Sequence, residues 1–480
     1  MNTYISLKPV FSASALALLL AMSGCAVGPD YKRPSLSLPE TFVQNDAEGI
    51  AVSSTVAGNK FQASWWTLFA DPALDSLVQQ ALANNVDVRL AAAQVEEAES
   101  ILRQTNASIF PEVDFGASGS RSRVSTLNAQ PSIAPFIRND RRIAASTSFE
   151  LDFWGKLRRA SESARAQALA SVYGRDGVRL ALAGTMTQAY FSLRSLDAQI
   201  VVLRDSVKTR GETYDVVKSR VDAGVASDLG LNQALGARAD AASQLKELER
   251  QRALIEHQLG ALTGKLDLKI ASGSLHASPV PPVPPPGLPS SLLGRRPDIR
   301  AAEQNLIAAN AQIGVAKAAL FPTISLTSAF GGQSAALDQL LNSGARIWSA
   351  GFALALPIFD AGRNLAKLDQ SEARQKESLA SYQKTVETAF REVSDAISNV
   401  HQSALAEADL QVRVDAAAKS LELAGIRYDA GYVGYLDVLD AQRTANDAQL
   451  VWVRNRQSRL AYAVDFIKSL GGGWEPSHKD

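Results

Sequence analysis

The sequence predicts a mixed α and β membrane protein: two tandem structural repeats that give four β-strands and long coiled-coil helices per chain. Three observations predict it. The two halves align motif for motif, each half holds a long proline-free run (161–222 and 364–429), and segments of strict apolar and polar alternation lie between the helical stretches. Helical throughout, either run would extend about 90 to 100 Å. That far exceeds a compact domain and indicates a coiled coil or a tube. The hydrophobic share of 46% leans on alanine and only 7% of residues are aromatic, which suits helices packed through small side chains better than a thick aromatic core.

The chain begins with a weakly basic stretch at Lys8 and an apolar run over residues 10–21, too short to span a bilayer permanently and typical of a secretory signal. Met22-Ser23-Gly24-Cys25 follows and resembles the bacterial lipobox, with Met in the first position. Cys25 is the only cysteine, so a disulfide within the chain is excluded. Residues 1–24 are therefore expected to be a lipoprotein signal peptide, and Cys25 the new N-terminus, carrying an S-diacylglycerol and an N-acyl group. Each buried methylene contributes about 0.8 kcal/mol, so three acyl chains anchor far more firmly than one. Ala26 in place of Asp points, by the usual sorting rule, to the outer membrane.

After a lipidated segment over 25–70, the repeat organises the chain. Asp87-Val88-Arg89 precedes an alanine-rich helix ending at Phe110-Pro111, and Asp298-Ile299-Arg300 precedes another ending at Phe321-Pro322. Phe153-Trp154-Gly155-Lys156 answers Phe359-Asp360-Ala361-Gly362-Arg363, and Arg220-Val221-Asp222-Ala223-Gly224 answers Arg427-Tyr428-Asp429-Ala430-Gly431. The first repeat is placed at 71–265 and the second at 298–473, with a tail at 474–480. Between them, residues 266–297 hold seven prolines from Pro279 to Pro289 and read as an extended linker.

Within each repeat the strands carry the decisive pattern. Ile143, Ala145, Thr147, Phe149, Leu151 and Phe153 alternate with Arg142, Ser146, Ser148, Glu150 and Asp152. In the second repeat Ile324, Leu326 and Phe330 alternate with Thr323, Ser325 and Thr327, and Trp348, Phe352, Leu354, Leu356 and Ile358 with Ser349, Gly351, Ala353 and Ala355. Outer-membrane barrel strands look like this, and so do half-buried strands of a soluble sandwich; the lipoprotein signal favours the barrel. Phe149, Leu151, Phe352 and Leu354 are expected to face lipid. Ser148, Glu150, Ala353 and Ala355 are expected to face a lumen, with surface loops near 124–140 and 333–345. Four strands leave open edges that hydrocarbon does not tolerate, so the barrel must be shared; a dimer is the minimum and a trimer gives twelve strands.

Catalytic chemistry is missing from the pattern. His257, His276, His401 and His478 show no metal-ligand spacing and neighbour no nucleophile, and Gly331-Gly332 lacks a phosphate-loop context. With 49 basic and 49 acidic residues nothing asks for nucleic acid. Gly431 and Gly434 permit a sharp reversal after the second long helix, and on the returning helix Leu436, Asp437 and Asp440 share one face. Either they line a constriction, or they open a solvated helix whose Asp437 favours the dipole.

Arg295-Arg296-Pro297-Asp298-Ile299-Arg300-Ala301-Ala302-Glu303, the run from Ala309 through Phe321-Pro322, Leu356-Pro357-Ile358-Phe359-Asp360 and Tyr435-Leu436-Asp437-Val438-Leu439-Asp440-Ala441-Gln442-Arg443 resemble the outer membrane factor (TolC-like) family. The similarity runs from Cys25 to about Trp474, and Gly28-Pro29-Asp30-Tyr31 with Arg33-Pro34 resembles its lipoprotein branch. The resemblance implies a homotrimer with a twelve-stranded outer-membrane β-barrel, a periplasmic α-helical barrel and an equatorial belt. It implies the exit duct of a tripartite RND-type efflux pump for small toxic compounds such as antibiotics. A periplasmic adaptor (membrane fusion) protein, an inner-membrane RND transporter and outer-membrane lipid would be its partners. Neither a metal nor any cofactor beyond the Cys25 lipid is implied. It also implies a periplasmic gate in which Leu436 closes the tip, Asp437 and Asp440 ring the duct, and Tyr428 and Arg443 tie helices. Val433 departs from the arginine found there in part of the family, so the bonds of a closed gate do not transfer. The exit duct of a type I secretion system shares this architecture, and a structural envelope lipoprotein is the reading from another class.

Overall fold

Helix, strand, strand, long helix, turn, helix: each half of the chain runs in this order in the computed structural model, which describes residues 26–36, 39, 64–123, 137–275, 278–281 and 292–472. The first half comprises α1 (Pro72–Asn84), α2 (Val86–Ala107), β1 (Glu112–Arg123), β2 (Ile137–Leu151), α3 (Lys156–Asp222) and α4 (Asp228–Thr263). The second comprises α5 (Pro297–Ala318), β3 (Thr323–Ser334), β4 (Arg346–Ala355), α6 (Arg363–Asp429) and α7 (Tyr435–Ser469). Equivalent helices match in length. Both α3 and α6 have 67 residues, and both α2 and α5 have 22. At 1.5 Å per residue the long pair extends about 100 Å.

The repeat extends to the way each long helix starts and stops. Asp152 accepts hydrogen bonds from the Leu157 and Arg158 N–H groups at 3.1 and 3.0 Å, and Asp360 accepts from Asn364 N–H at 3.0 Å, so an aspartate caps each first turn. At the other end Gly224 and Gly431 adopt φ of 74° and 80°. Val225 N–H then bonds to Arg220 O, and Tyr432 N–H to Arg427 O, both at 2.9 Å. This is the glycine-terminated stop that satisfies orphan carbonyls and turns the chain.

The chain contacts divide into two compact units. The first (residues 1–35, 94–171 and 301–382) contains one antiparallel sheet in the order β1-β2-β3-β4. The second (residues 36–93, 172–300 and 383–480) contains a hydrophobic core in which Phe69, Tyr190, Phe191, Met186, Leu74, Val464 and Ile467 are fully buried. Phe69 and Phe191 pack with ring centroids 4.9 Å apart. Asp71 both caps α1, through Ala73 and Leu74 N–H, and accepts from the Tyr190 hydroxyl at 2.6 Å. Burial and that carboxylate push the Tyr190 hydroxyl up to about 12. In the same unit buried Asp197 accepts from Arg252, Arg194 and Gly273 N–H, and so pins the chain that follows α4.

The strand boundaries correct part of the sequence reading. β2 stops at Leu151 and β4 at Ala355, so Phe153, Leu356 and Ile358 lie outside the ladder. Asp152 leaves the sheet to cap α3, and Pro357 has no N–H to donate. At the opposite end β2 already begins at Ile137 and β3 reaches Ser334, so residues 137–140 and 333–334 belong to strands and not to loops. The signal segment, Cys25, most of the N-terminal segment, the loop at 124–136, residues 282–291 of the linker and the tail from 473 lie outside the described residues.

Candidate functional site

Register fixes which side chains share a face, because residues directly opposite in an antiparallel pair point to the same side. Phe115 opposes Ala145, Ala145 opposes Phe330, and Phe330 opposes Trp348. Two rungs along, Phe149, Leu326 and Phe352 form a row, followed by Leu151, Ile324 and Leu354. The other face carries Glu112, Ser148 and Thr327 in one row, and Asp114, Ser146, Ala329 and Ser349 in the next. Phe149, Leu151, Phe352 and Leu354 thus share one face, while Ser148, Glu150, Ala353 and Ala355 share the other. Trp348 is 79% and Phe352 77% exposed within the chain. A face of this kind carries a penalty of about 25 cal/mol per Å² in water and none in hydrocarbon.

The outer strands, β1 and β4, each pair with one neighbour only among the described residues. Their free edges cannot stand in lipid and require strands from further copies. No described helix is long and apolar enough to cross a membrane, and nothing about a β-barrel follows from that.

The base of the sheet is tied to the segment next to Cys25. Val27 N–H donates to Trp154 O at 2.9 Å, Asn310 Nδ2 donates to Pro29 O at 2.9 Å, and Arg159 pairs with Asp30 at 2.5 Å. Arg33 grips Glu303 with two bonds of 2.6 and 2.5 Å, and the Tyr31 hydroxyl adds a third at 3.0 Å. Burial and the Glu303 charge together raise the Tyr31 pKa well beyond its ordinary value. Ala26 lies against Gly155, at the junction of β2 and α3. Sequence spacing does not reveal Glu303 as the hub, because its partners are 270 and 272 residues away.

At the second reversal the residues predicted for the gate come close in sequence but make different contacts. Leu436 is 57% exposed, and Asp437, Asp440 and Arg443 are exposed as well. Leu436, Asp440 and Arg443 follow at intervals of four and three, so they share the outer face of α7. Its inner face buries Val438, Gln442 and Ala445. The Asp437 carboxylate accepts from Gly434 N–H at 3.1 Å and so caps the helix it begins. Neither Asp440 nor Arg443 forms an ion pair with a described residue.

Tyr428 is half-buried, and its ring does the binding. The Arg220 guanidinium carbon lies 4.9 Å over its centroid, and the Tyr435 ring meets it edge-on at 6.1 Å. Arg220 was recognisable as part of the repeated turn motif, though not as a partner of Tyr428. The roles of two further residues had no signal in the sequence. Arg210 donates to Ala237 O at 2.7 Å and so joins α3 to α4, and Tyr435 buries a hydroxyl with no hydrogen-bond partner. Burial raises the Tyr435 pKa from its ordinary value. Among the described residues no group of three or more His, Cys, Asp or Glu could hold a metal ion.

Comparison with known proteins agrees with this geometry. The family model described as outer membrane efflux protein matches residues 77–265 and 288–472, one segment in each half of the chain. The cation efflux system protein CusC of Escherichia coli is 34% identical over 463 residues, covering 95% of this chain and 97% of that protein. The toluene efflux pump outer membrane protein TtgI of Pseudomonas putida is 34% identical over 478 residues, covering 97% and 99%. A crystal structure of a membrane protein from Pseudomonas aeruginosa superposes with a TM-score of 0.86 at 32% identity, covering 94% of this chain and 98% of that one. With a two-faced sheet, paired 67-residue helices and family matches in both halves, the chain belongs to the outer membrane efflux protein family, and is an outer-membrane efflux channel that extends into the periplasm.

Proposed function

We propose that three copies of this chain assemble one exit duct, the outermost part of a tripartite pump that sends small toxic compounds out of the cell. The two-faced, four-stranded sheet, with both edges unpaired among the described residues, carries this reading. Three sheets supply twelve strands, an even number within the range of bacterial barrels. Transport energy comes from an inner-membrane transporter of the RND type, and a periplasmic adaptor grips the helices. Relatives named for cation and toluene efflux favour small solutes over secreted proteins as cargo. Purified protein reconstituted in a planar bilayer should conduct ions, whereas an envelope spacer would give no current.

The mature chain is anchored by lipid on Cys25. The strap over residues 27–33 supports this, since it brings the residue after Cys25 to the foot of the sheet, where a membrane boundary would lie. Cys25→Ser should abolish labelling by radioactive fatty acid. An unmodified thiol in the mature wild-type chain would refute the anchor.

The second reversal serves as the periplasmic gate. Leu436 narrows the resting tip, Asp440 lends it cation selectivity and Arg443 ties neighbouring helices, all from the outer face of α7. Asp437 sets the turn through its cap, and Tyr428 holds the hairpin through Arg220 and Tyr435 until the adaptor draws the helices apart.

A further inference from the structure

The apolar face of the sheet ends in arginines. Arg123 opposes Ile137, Arg121 opposes Asn139, Arg141 opposes both Gly119 and Ser334, and Arg346 opposes Gly332, which in turn opposes Ile143. All four arginines therefore stand on the face of Phe115, Phe330, Trp348 and Phe352, at the strand ends remote from the helices. Arg138 and Arg142 stand on the opposite face with Ser118 and Ser122.

Their height along the strands is informative. Leu354 and Arg346 are eight residues apart, about 26 Å along the strand. The apolar band of an outer-membrane barrel is about 25 Å tall, and its strands are tilted. Arg346 thus stands at the rim of the band, one rung beyond the Phe330 and Trp348 pair, where a barrel places its aromatic girdle, and Arg141, Arg121 and Arg123 follow two, three and four rungs beyond that pair, outward from the rim. Arginine is costly on the lipid face at the midplane and nearly free at the interface.

No ion pair neutralises these charges among the described residues. Arg121, Arg123 and Arg346 are exposed, and none has an ion pair with a described residue. Arg141 donates one bond of 2.6 Å to Ala335 O and keeps its remaining donors. The nearest carboxylates in sequence are Asp114 and Asp140, both on the opposite face, with Asp140 bonded by Gln333 at 2.8 Å, and Asp338 in the turn after β3. Guanidinium groups offer a planar fork of donors that matches phosphate oxygens two at a time.

We propose that Arg121, Arg123, Arg141 and Arg346 form an outward-facing site for the phosphate groups of the outer leaflet's glycolipid, lipopolysaccharide, whose acyl chains cover the apolar rows below. The inference rests on the barrel reading, which places this strand end in the outer leaflet. It makes the channel a protein with its own collar of phosphorylated glycolipid, held by charge at the rim and by Phe330 and Trp348 beneath it.

The test uses the purified full-length oligomer in neutral detergent and three probes: bisphosphorylated lipid A, the same lipid A with both phosphates removed, and phosphatidylglycerol. Binding is read by native mass spectrometry. Bisphosphorylated lipid A should bind about a hundredfold more tightly than the dephosphorylated form, as expected for three or four basic residues each acting on an anionic lipid surface. Arg121→Gln, Arg123→Gln and Arg346→Gln combined should lose most of that difference, while Arg138→Gln with Arg142→Gln should keep it. Equal binding of the two lipid A forms, equal loss in the lumen-face variant, or phosphatidylglycerol binding as tightly as lipid A would each overturn the assignment. Should the triple variant fail to assemble, the wild-type comparison of the two lipid A forms decides alone. Conductance of the wild-type oligomer tests the barrel separately: a conducting oligomer blind to the phosphates refutes the collar and leaves the barrel standing.

Discussion

Tyr428 is held by the face of its ring and not by its hydroxyl. With Arg220 4.9 Å over it and Tyr435 against its edge, removing the oxygen alone leaves both contacts in place. Tyr428→Phe should therefore keep the resting conductance of the wild type. Tyr428→Ala and Arg220→Ala should both raise it, since a cation–π contact at such a site contributes about 0.5 to 1 kcal/mol, or roughly a two- to fivefold shift in open population. Single-channel recordings of the three variants check this, and an effect of Tyr428→Phe as large as that of Tyr428→Ala would move the latch to the hydroxyl. Asp440 carries the second expectation at this scale. It is exposed and unpaired among the described residues, so Asp440→Ala should lower the preference for cations in reversal-potential measurements, whereas Asp437→Ala should mainly loosen the helix start. The sequence displayed both aspartates at helical spacing. It could not separate them, because only the bond from Gly434 N–H reveals that one carboxylate is already engaged.

Strands and helices were legible to different degrees. A period of two is read directly from residues such as Phe149, Ser148, Leu326 and Ser325, and the register carries the same division across all four strands. Arginine at position 354 should cost about 2 to 4 kcal/mol of assembly, while arginine at 355 faces water and should be tolerated. Heat-resistant oligomer on a gel distinguishes Leu354→Arg from Ala355→Arg, and equal yields would argue against a lipid-facing role for Leu354. The strand ends were less legible, since alternation continues through Phe153 and Ile358 after the ladder has stopped. What ends the ladder is a competing demand, the Asp152 cap of α3 and the missing N–H of Pro357, and neither disturbs the polarity pattern. Long helices were visible from the absence of proline. Gly331 illustrates what periodicity cannot show: a Cβ there would lie 2.0 Å from Ile143 O, so Gly331→Ala should push β2 and β3 apart and lower the yield of folded sheet.

At the scale of the whole molecule the repeat explains why one chain carries half-finished structures twice over. Each repeat supplies two strands and a pair of long helices, both repeats end their long helix on the same glycine stop, and among the described residues the sheet they build together still has two open edges. The internal alignment of Asp87-Val88-Arg89 with Asp298-Ile299-Arg300 announced this organisation. Contacts across hundreds of residues, such as Arg33 with Glu303, did not appear in any local pattern. Closure by further copies is tested by the mass of the purified protein in lipid nanodiscs, taken together with its conductance in a planar bilayer. A particle of three chains is expected, with a small resting conductance that rises when Leu436 is replaced by alanine. A monomer with no conductance in lipid would contradict it.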